Sequence, residues 1–203
     1  MNDDSRAVAE SYDYAISDYA APQPQTAVAE AAPQIPEYLQ DTYWWAYLHP
    51  KSFWFFEREW VVNLILWGNM KRLTEAVLAE MTPGIPSRAL QVACVYGDFT
   101  NRVARHLESS GSRLDVVDVA DIQLENLRKK LGGRQNVSLH HQDSTRLGFN
   151  DAEYDQTVVF FLLHEQPEEA RRRTVAEALR VTRPGGKVIF VDYHGPRRSN
   201  PMR

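Results

Sequence analysis

The sequence predicts an α/β protein, a mostly parallel sheet with helices on both faces. Three observations predict it. Short apolar runs alternate with helix-period stretches from residue 89 to residue 192. The first run, ALQVACVYGDFT at 89–100, passes straight into a tight turn and then into the helical pattern NRVARHLE. About 20 positions beyond that turn the second run ends on an acidic residue, Asp118.

The elements follow in order. Strands are expected at 89–94, 113–118, 137–140, 156–161 and 187–192, with helices at 99–109, 120–131 and 167–181. Right-handed crossovers leave few ways to join them, and a ligand then sits at the carboxyl ends of the strands. Upstream, residues 1–36 carry Pro22, Pro24, Pro33 and Pro36 among Ala, Gln and acidic residues, which predicts a disordered tail. Residues 37–82 read as an aromatic helical cap, with all five tryptophans between Trp44 and Trp67. Pro50 opens one helix there and a second is expected from Arg58 to Glu80. Glu57, Arg58 and Glu59 interrupt the apolar run, so it does not span a membrane. The cap is either aromatic core closing the cleft or a lid lying on the membrane surface, with Lys51, Lys71 and Arg72 facing headgroups. Residues 83–203 form the α/β domain.

Composition narrows the function. A chain of 203 residues, 43% hydrophobic, has room for a single core. A net charge of −4 without a basic stripe excludes nucleic acid as a partner. Cys94 stands alone, so no internal disulfide and no C-x-x-C site is expected, and it reads as a buried strand thiol in a reducing compartment. An acidic N-terminus (Asp3, Asp4, Glu10, Asp13, Asp18) argues against a transit peptide.

The strand ends carry the chemistry. Asp118 is placed to accept hydrogen bonds from ribose hydroxyls. In HHQDSTRLGF after the third strand, Asp143 can meet an exocyclic adenine amine. The fourth strand runs into FFLLHEQPEE, and RVTRPGGKVIFVDYH carries the fifth. Taken together over residues 89–194, this set resembles the class I S-adenosylmethionine (SAM) dependent methyltransferases, in particular those acting on quinones. The resemblance implies a Rossmann-like fold in which Asp118 and Val119 flank ribose and adenine, Asp143 and Ser144 meet the adenine ring, and Phe160 or Phe161 lines the methionine end.

Two departures from that pattern stand at the methionine end. The usual acidic residue of the first strand is Gln91, and a G-x-G-x-G loop has become Ala93, Val95 and Gly97, with Tyr96 and Asp98 added. Glycines there let the backbone approach the ligand at positive φ, so the methionine end should sit differently while the adenosine end binds as usual. YWWAYLHPKSFWFFEREWVVNLILWGNMKRL combined with QVACVYGDFTNRVARHL is similar to the rhodoquinone biosynthesis proteins, a methyltransferase-like family. That resemblance implies replacement of a ring methoxy group of ubiquinone by an amine, with SAM as amino donor and Mn2+ assisting, at the cytoplasmic face of the inner membrane. Val95, Tyr96 and Gly97 would then hold the methionine moiety, with Tyr96, Asp98 and His164 as candidate acid–base groups. His164, Glu165, Asp192 and His194 are candidate manganese ligands, being carboxylate and imidazole groups at neighbouring strand ends. His140 and His141 alternate along one strand, so only one of them faces the cleft. The fifth strand is expected to be an edge, covered by a homo-oligomer or another partner chain.

Overall fold

The computed structural model describes residues 68–81 and 87–192, together with 33, 35, 36 and 61. The expectations for residues 1–32, for most of the aromatic segment 37–67 and for His194 lie outside them.

The elements in chain order are α1 (Met70–Glu80), β1 (Arg88–Val92), α2 (Phe99–Glu108), β2 (Arg113–Asp118), α3 (Asp121–Leu131), β3 (Val137–His141), β4 (Tyr154–Phe160), a 3-10 turn (Leu163–Glu165), α4 (Glu168–Val181) and β5 (Thr182–Val191). The five strands form one sheet in the order β3-β2-β1-β4-β5, and every neighbouring pair is parallel. The chain reverses direction across the sheet between β3 and β4, so the cleft opens beside β1.

Period-two alternation along the strands divides the core between two layers. On one face Ala89, Leu114, Val116 and Val158 pack against Val77 of α1, Phe99, Val103 and Leu107 of α2, and Leu127 of α3. On the other, Leu90, Val92, Val117 and Val159 pack against Leu147, Tyr154 and the α4 residues Ala178 and Val181. Burying a Leu or Phe contributes about 2–3 kcal/mol, so these two layers are what place the strand ends.

The boundaries differ from the sequence reading for local reasons. Strand β1 stops at Val92 rather than 94 because Ala93 turns to φ 74. The helix expected to run unbroken to Glu80 starts afresh at Met70, after a turn at Gly68 and with Asn69 at its cap. Strand β5 begins at Thr182, not 187, because the Arg-Pro-Gly-Gly stretch is absorbed as a bulge opposite Asp155. Gly186 is required in that bulge, since a Cβ there would lie 2.6 Å from the Asp155 carbonyl oxygen.

At the opposite end of the sheet from the cleft, Asp115 gathers a polar cluster. Its Oδ2 accepts from Arg88 Nη2 at 2.9 Å and from the Tyr154 hydroxyl at 3.0 Å, and His140 Nε2 lies 2.9 Å from Oδ1. Burial pushes the Asp115 carboxyl up, but the hydrogen bonds from His140, Arg88 and Tyr154 prevail and hold it at about 2. Tyr154 is pushed well above its usual range by burial and by the Asp115 charge.

Among the described residues β5 is the outer strand of the sheet, as expected for an edge, with Phe190 39% exposed.

Candidate cofactor site at the strand ends

The site is built from the residues that follow β1, β2, β3 and β4. Asp118 ends β2 and binds the turn after β1. Its Oδ2 accepts the Cys94 N–H at 2.7 Å, and its Oδ1 accepts the Ala120 N–H at 2.8 Å. Burial raises the Asp118 carboxyl against these hydrogen bonds. The Cys94 thiol also donates to this carboxylate, which leaves about one of its four lone pairs for a ribose hydroxyl. Cys94, read as a buried strand thiol, is half-buried and lies past the strand, in the turn.

The Ala93–Asp98 turn is braced from below and from the side. Gln91, fully buried, donates through Nε2 to the Ala93 carbonyl at 2.9 Å and to Thr100 Oγ1 at 3.0 Å, while its Oε1 has no partner. An acidic side chain could not make the bond to Ala93, because a carboxylate only accepts. Ala93 therefore sits in the left-handed region that favours glycine, held by an amide donor from the strand below it. Gly97 keeps a glycine conformation, φ 79, and its carbonyl accepts from Lys130 Nζ at 2.5 Å.

Of the loop residues singled out in the sequence, Val95 and Tyr96 pack on the core layer formed by α1, α2 and α3. The Tyr96 hydroxyl accepts from Gln123 Nε2 of α3 at 2.9 Å. Asp98 caps α2 without a side-chain bond to the helix backbone and instead pairs with Arg105 Nη2 further along the same helix at 2.8 Å. Gln123, Lys130 and Thr100 escaped the sequence reading. Polar residues at helical spacing carry no signal of which loop they will reach.

After β3, Asp143 Oδ1 accepts the Thr145 N–H at 2.8 Å, which fixes the turn there. Ser144 Oγ lies 3.0 Å from Thr174 Oγ1 and accepts from Gln166 Nε2 at 3.0 Å. The Val119 carbonyl is met by His141 Nε2 at 3.0 Å. The two adjacent histidines thus divide as expected, His141 toward the strand ends and His140 toward Asp115.

Phe160 needs correcting. It is 2% exposed and stacks on Phe99 with ring centroids 4.1 Å apart, because the last β4 residue points into the core layer. Phe161, the alternative weighed for that place, is half-buried at the strand end with φ 53, a strained value for an aromatic residue. Its ring meets that of His164 edge to face at 6.1 Å.

Three of the four candidate metal ligands do come together, as an imidazole held by two carboxylates. His164 Nδ1 lies 2.8 Å from Asp192 Oδ1, the His164 N–H donates to Asp192 Oδ2 at 3.2 Å, and Nε2 lies 3.6 Å from Glu165 Oε1. The donor types suit manganese, but the arrangement does not fit it. The Asp192 carboxylate and the imidazole nitrogen that would face an ion are turned on one another, and no three such groups among the described residues are arranged to hold a metal.

A parallel sheet with its switch point beside β1, an acid at the end of β2 and a polar turn after β3 define a nucleoside-cofactor α/β domain. Residues 89–186 match the family model of a methyltransferase domain, and the parallel sheet with its helices has the Rossmann-like fold of methyltransferases. The demethylmenaquinone methyltransferase of Staphylococcus saprophyticus is 29% identical over 134 residues, covering 66% of this chain and 56% of that protein. The chain therefore spans about half the length of the curated relatives it matches. Among solved structures, the [4+2]-cyclase SpnF superposes with a TM-score of 0.52 at 24% identity, over 64% of this chain and 47% of that one. A SAM dependent methyltransferase from Aquifex aeolicus gives 0.51 at 19% identity, over 63% and 67%. These likenesses show the fold. That one of the two is named a cyclase illustrates that the fold leaves the reaction open.

Proposed function

We propose that the chain is a SAM-dependent transferase whose acceptor is a quinone ring, with methyl transfer as the first reading. The observation that carries it is Asp118, which binds the turn after β1 and keeps a lone pair for a ribose at the strand end next to the switch point of the sheet. The name of the staphylococcal relative supplies the quinone. When bound, SAM supplies an electrophilic methyl group on sulfur.

The chain's own residues then divide the work. Asp118 accepts from the ribose, Asp143 and Ser144 meet the adenine, and Val95, Tyr96 and Gly97 shape the methionine end. His164 is oriented by Asp192 through Nδ1, so Nε2 is the nitrogen that takes a proton from the acceptor, and Glu165 stabilises the resulting imidazolium. Asp98, paired with Arg105, shields the mouth of the loop electrostatically rather than moving a proton. A lipid quinone would also give the aromatic segment 43–67 a purpose, as a lid that meets its isoprenoid tail at a membrane surface.

One observation favours a second reading. Gln91 removes a negative charge from the methionine end, and Ala93 and Val95 reshape the loop that holds it. A SAM amine without a carboxylate beside it loses a reason to stay protonated, and a neutral amine is a nucleophile. That is what the first half of rhodoquinone formation would need, in which the amine adds to the methoxy-bearing ring carbon of ubiquinone and methanol leaves; the bond from nitrogen to the methionine carbon must then break in a separate step. No step in either reading is routed through a metal.

Incubation with SAM carrying carbon-13 in the methyl group and nitrogen-15 in the amine separates the two. Demethylmenaquinone and ubiquinone are offered in turn and the quinones are weighed by mass spectrometry. A carbon-13 methyl on the product is the expected result for the first reading, and nitrogen-15 in the ring substituent would establish the second. Unchanged quinones from a protein that binds SAM would sink both.

A further inference from the structure

His164 stands on a short and weakly built element. The 3-10 turn Leu163–Glu165 has three residues and no side-chain cap. It closes on two long bonds, from the Glu165 N–H to the Leu162 carbonyl and from the Gln166 N–H to the Leu163 carbonyl, each 3.2 Å. Bonds of this type have poorer geometry than those of an α-helix, and a single turn of them is marginal. Yet Asp192 holds His164 at two points. Its Oδ1 lies 2.8 Å from Nδ1 of the ring, and its Oδ2 accepts the main-chain N–H at 3.2 Å. A slip of the turn would break both at once. Because a carboxylate only accepts, Nδ1 carries a ring hydrogen in this arrangement.

The brace for the turn comes from α4. Arg171 donates through Nε to the Leu163 carbonyl at 2.9 Å and through Nη2 to the Gln166 carbonyl at 3.1 Å. One guanidinium thus spans the turn from its first residue to the residue after its last. Both bonds are charge-assisted, and both are shorter than the ones the turn makes within itself. The neighbouring residues show why this arginine serves. Arg172 and Arg173 each follow a glutamate by four residues and pair with it, Glu168 and Glu169 respectively. Four residues before Arg171 stands Pro167, the cap of α4, which offers no carboxylate. Helical side chains lean toward the N-terminus, so this one reaches back past the cap to the turn beyond it. A planar fork meets two carbonyls together, whereas an ammonium meets them one at a time.

We propose that Arg171 is a positioning residue that locks the Leu163–Glu165 turn and so keeps the His164 imidazole on Asp192 in one tautomer, with Nε2 left for the acceptor. The proposal rests on the acid–base reading of His164 above. It adds where the rigidity of that imidazole originates, in α4 as well as at the end of β5.

The full chain, labelled with nitrogen-15 in its histidines, tests this by long-range proton–nitrogen NMR, in which the two neutral tautomers and their mixture give different cross-peak patterns. The His164→Gln protein identifies the His164 peaks. The wild type should show a single tautomer with its hydrogen on Nδ1. Arg171→Ala should show averaged nitrogens, with kcat toward demethylmenaquinone about tenfold lower at an unchanged KM for SAM, the effect of losing one charge-assisted clamp. Arg171→Lys can reach one carbonyl and should fall between the two, and it decides the matter alone if the alanine variant fails to fold. Variants that keep the single tautomer would overturn the proposal, since any loss of rate would then be one of stability, visible in the urea midpoint. A wild-type His164 that already averages its tautomers would overturn it too. Should His164→Gln turn over demethylmenaquinone as fast as the wild type, the acid–base reading falls, while the tautomer patterns still decide what Arg171 does.

Discussion

The two ends of the cleft are built on different rules. At the ends of β2 and β3 the acidic groups Asp118 and Asp143 each accept from backbone N–H groups, and no bulky residue there is held at positive φ. Around the turn after β1 a neutral buried amide stands where an acid was expected, an alanine occupies a glycine conformation, and Gln123 and Lys130 clamp the turn from outside. The first arrangement can be occupied without rearrangement. The second stores strain and leaves Gln91 Oε1 unpaired, which is the pattern of a site reshaped for a particular ligand geometry.

The largest test of that contrast is Gln91→Glu, which restores a carboxylate near the end of β1. The carboxylate would be fully buried, opposed to the Ala93 carbonyl and without a cation. It should destabilise the fold by about 3 kcal/mol, read as a lower urea midpoint at an unchanged slope. If this variant instead matched the wild type in stability, the amide donor would not be what holds Ala93, and the contrast between the two ends would fail.

Next in size is Asp118→Asn. One amide N–H must then face either the Cys94 or the Ala120 N–H, where a carboxylate accepted from both. Affinity for S-adenosylhomocysteine should fall by about 2 kcal/mol, some thirtyfold, with a smaller change in stability. An equal loss of both would make Asp118 a loop brace and no more.

The third test concerns the other end of the same strand. The Asp115 carboxyl is held at about 2, below its unfolded value of 3.8, so its contribution to stability is present above the unfolded pKa and is lost as pH falls through the folded one. The wild type should therefore lose about 2 kcal/mol between pH 5 and pH 2 that Asp115→Asn does not lose, measured by urea unfolding at each pH. Parallel pH curves for the two proteins would detach this cluster from the bracing of β2.

Much of this was legible in the sequence, and what was not has identifiable causes. Apolar periodicity gave all five strands and the helices between them, because each run packs against a layer that demands it. Asp118 and Asp143 were readable because a carboxylate at a strand end serves the turn beside it whatever the rest of the chain does. Of the two adjacent phenylalanines weighed for the strand end, Phe160 lies buried in the core, since side-chain alternation at the end of a strand cannot be phased without knowing where it stops. Gln123, Lys130 and Gln166 were invisible because they act across 27, 33 and 22 residues of chain, distances that only the packed layers set. The metal cluster failed for a subtler reason. Sequence placed His164, Glu165 and Asp192 together, but the imidazole satisfies the carboxylates itself.

The smallest effect is also the cleanest probe of the strained end. At φ 74 an alanine in the left-handed region costs about 1–2 kcal/mol, and replacing it with glycine returns most of that while adding about 0.5–1 kcal/mol of backbone entropy to the unfolded chain. Ala93→Gly should therefore stabilise the fold by less than about 1 kcal/mol, a shift of a few degrees in Tm. Its effect on turnover separates two meanings of the strain. If the alanine methyl shapes the methionine end, the variant gains stability and loses activity or changes the labelled product. If activity and product stay as they are, the methyl is tolerated rather than used, and the reshaping of this end resides in Gln91 and Val95 instead.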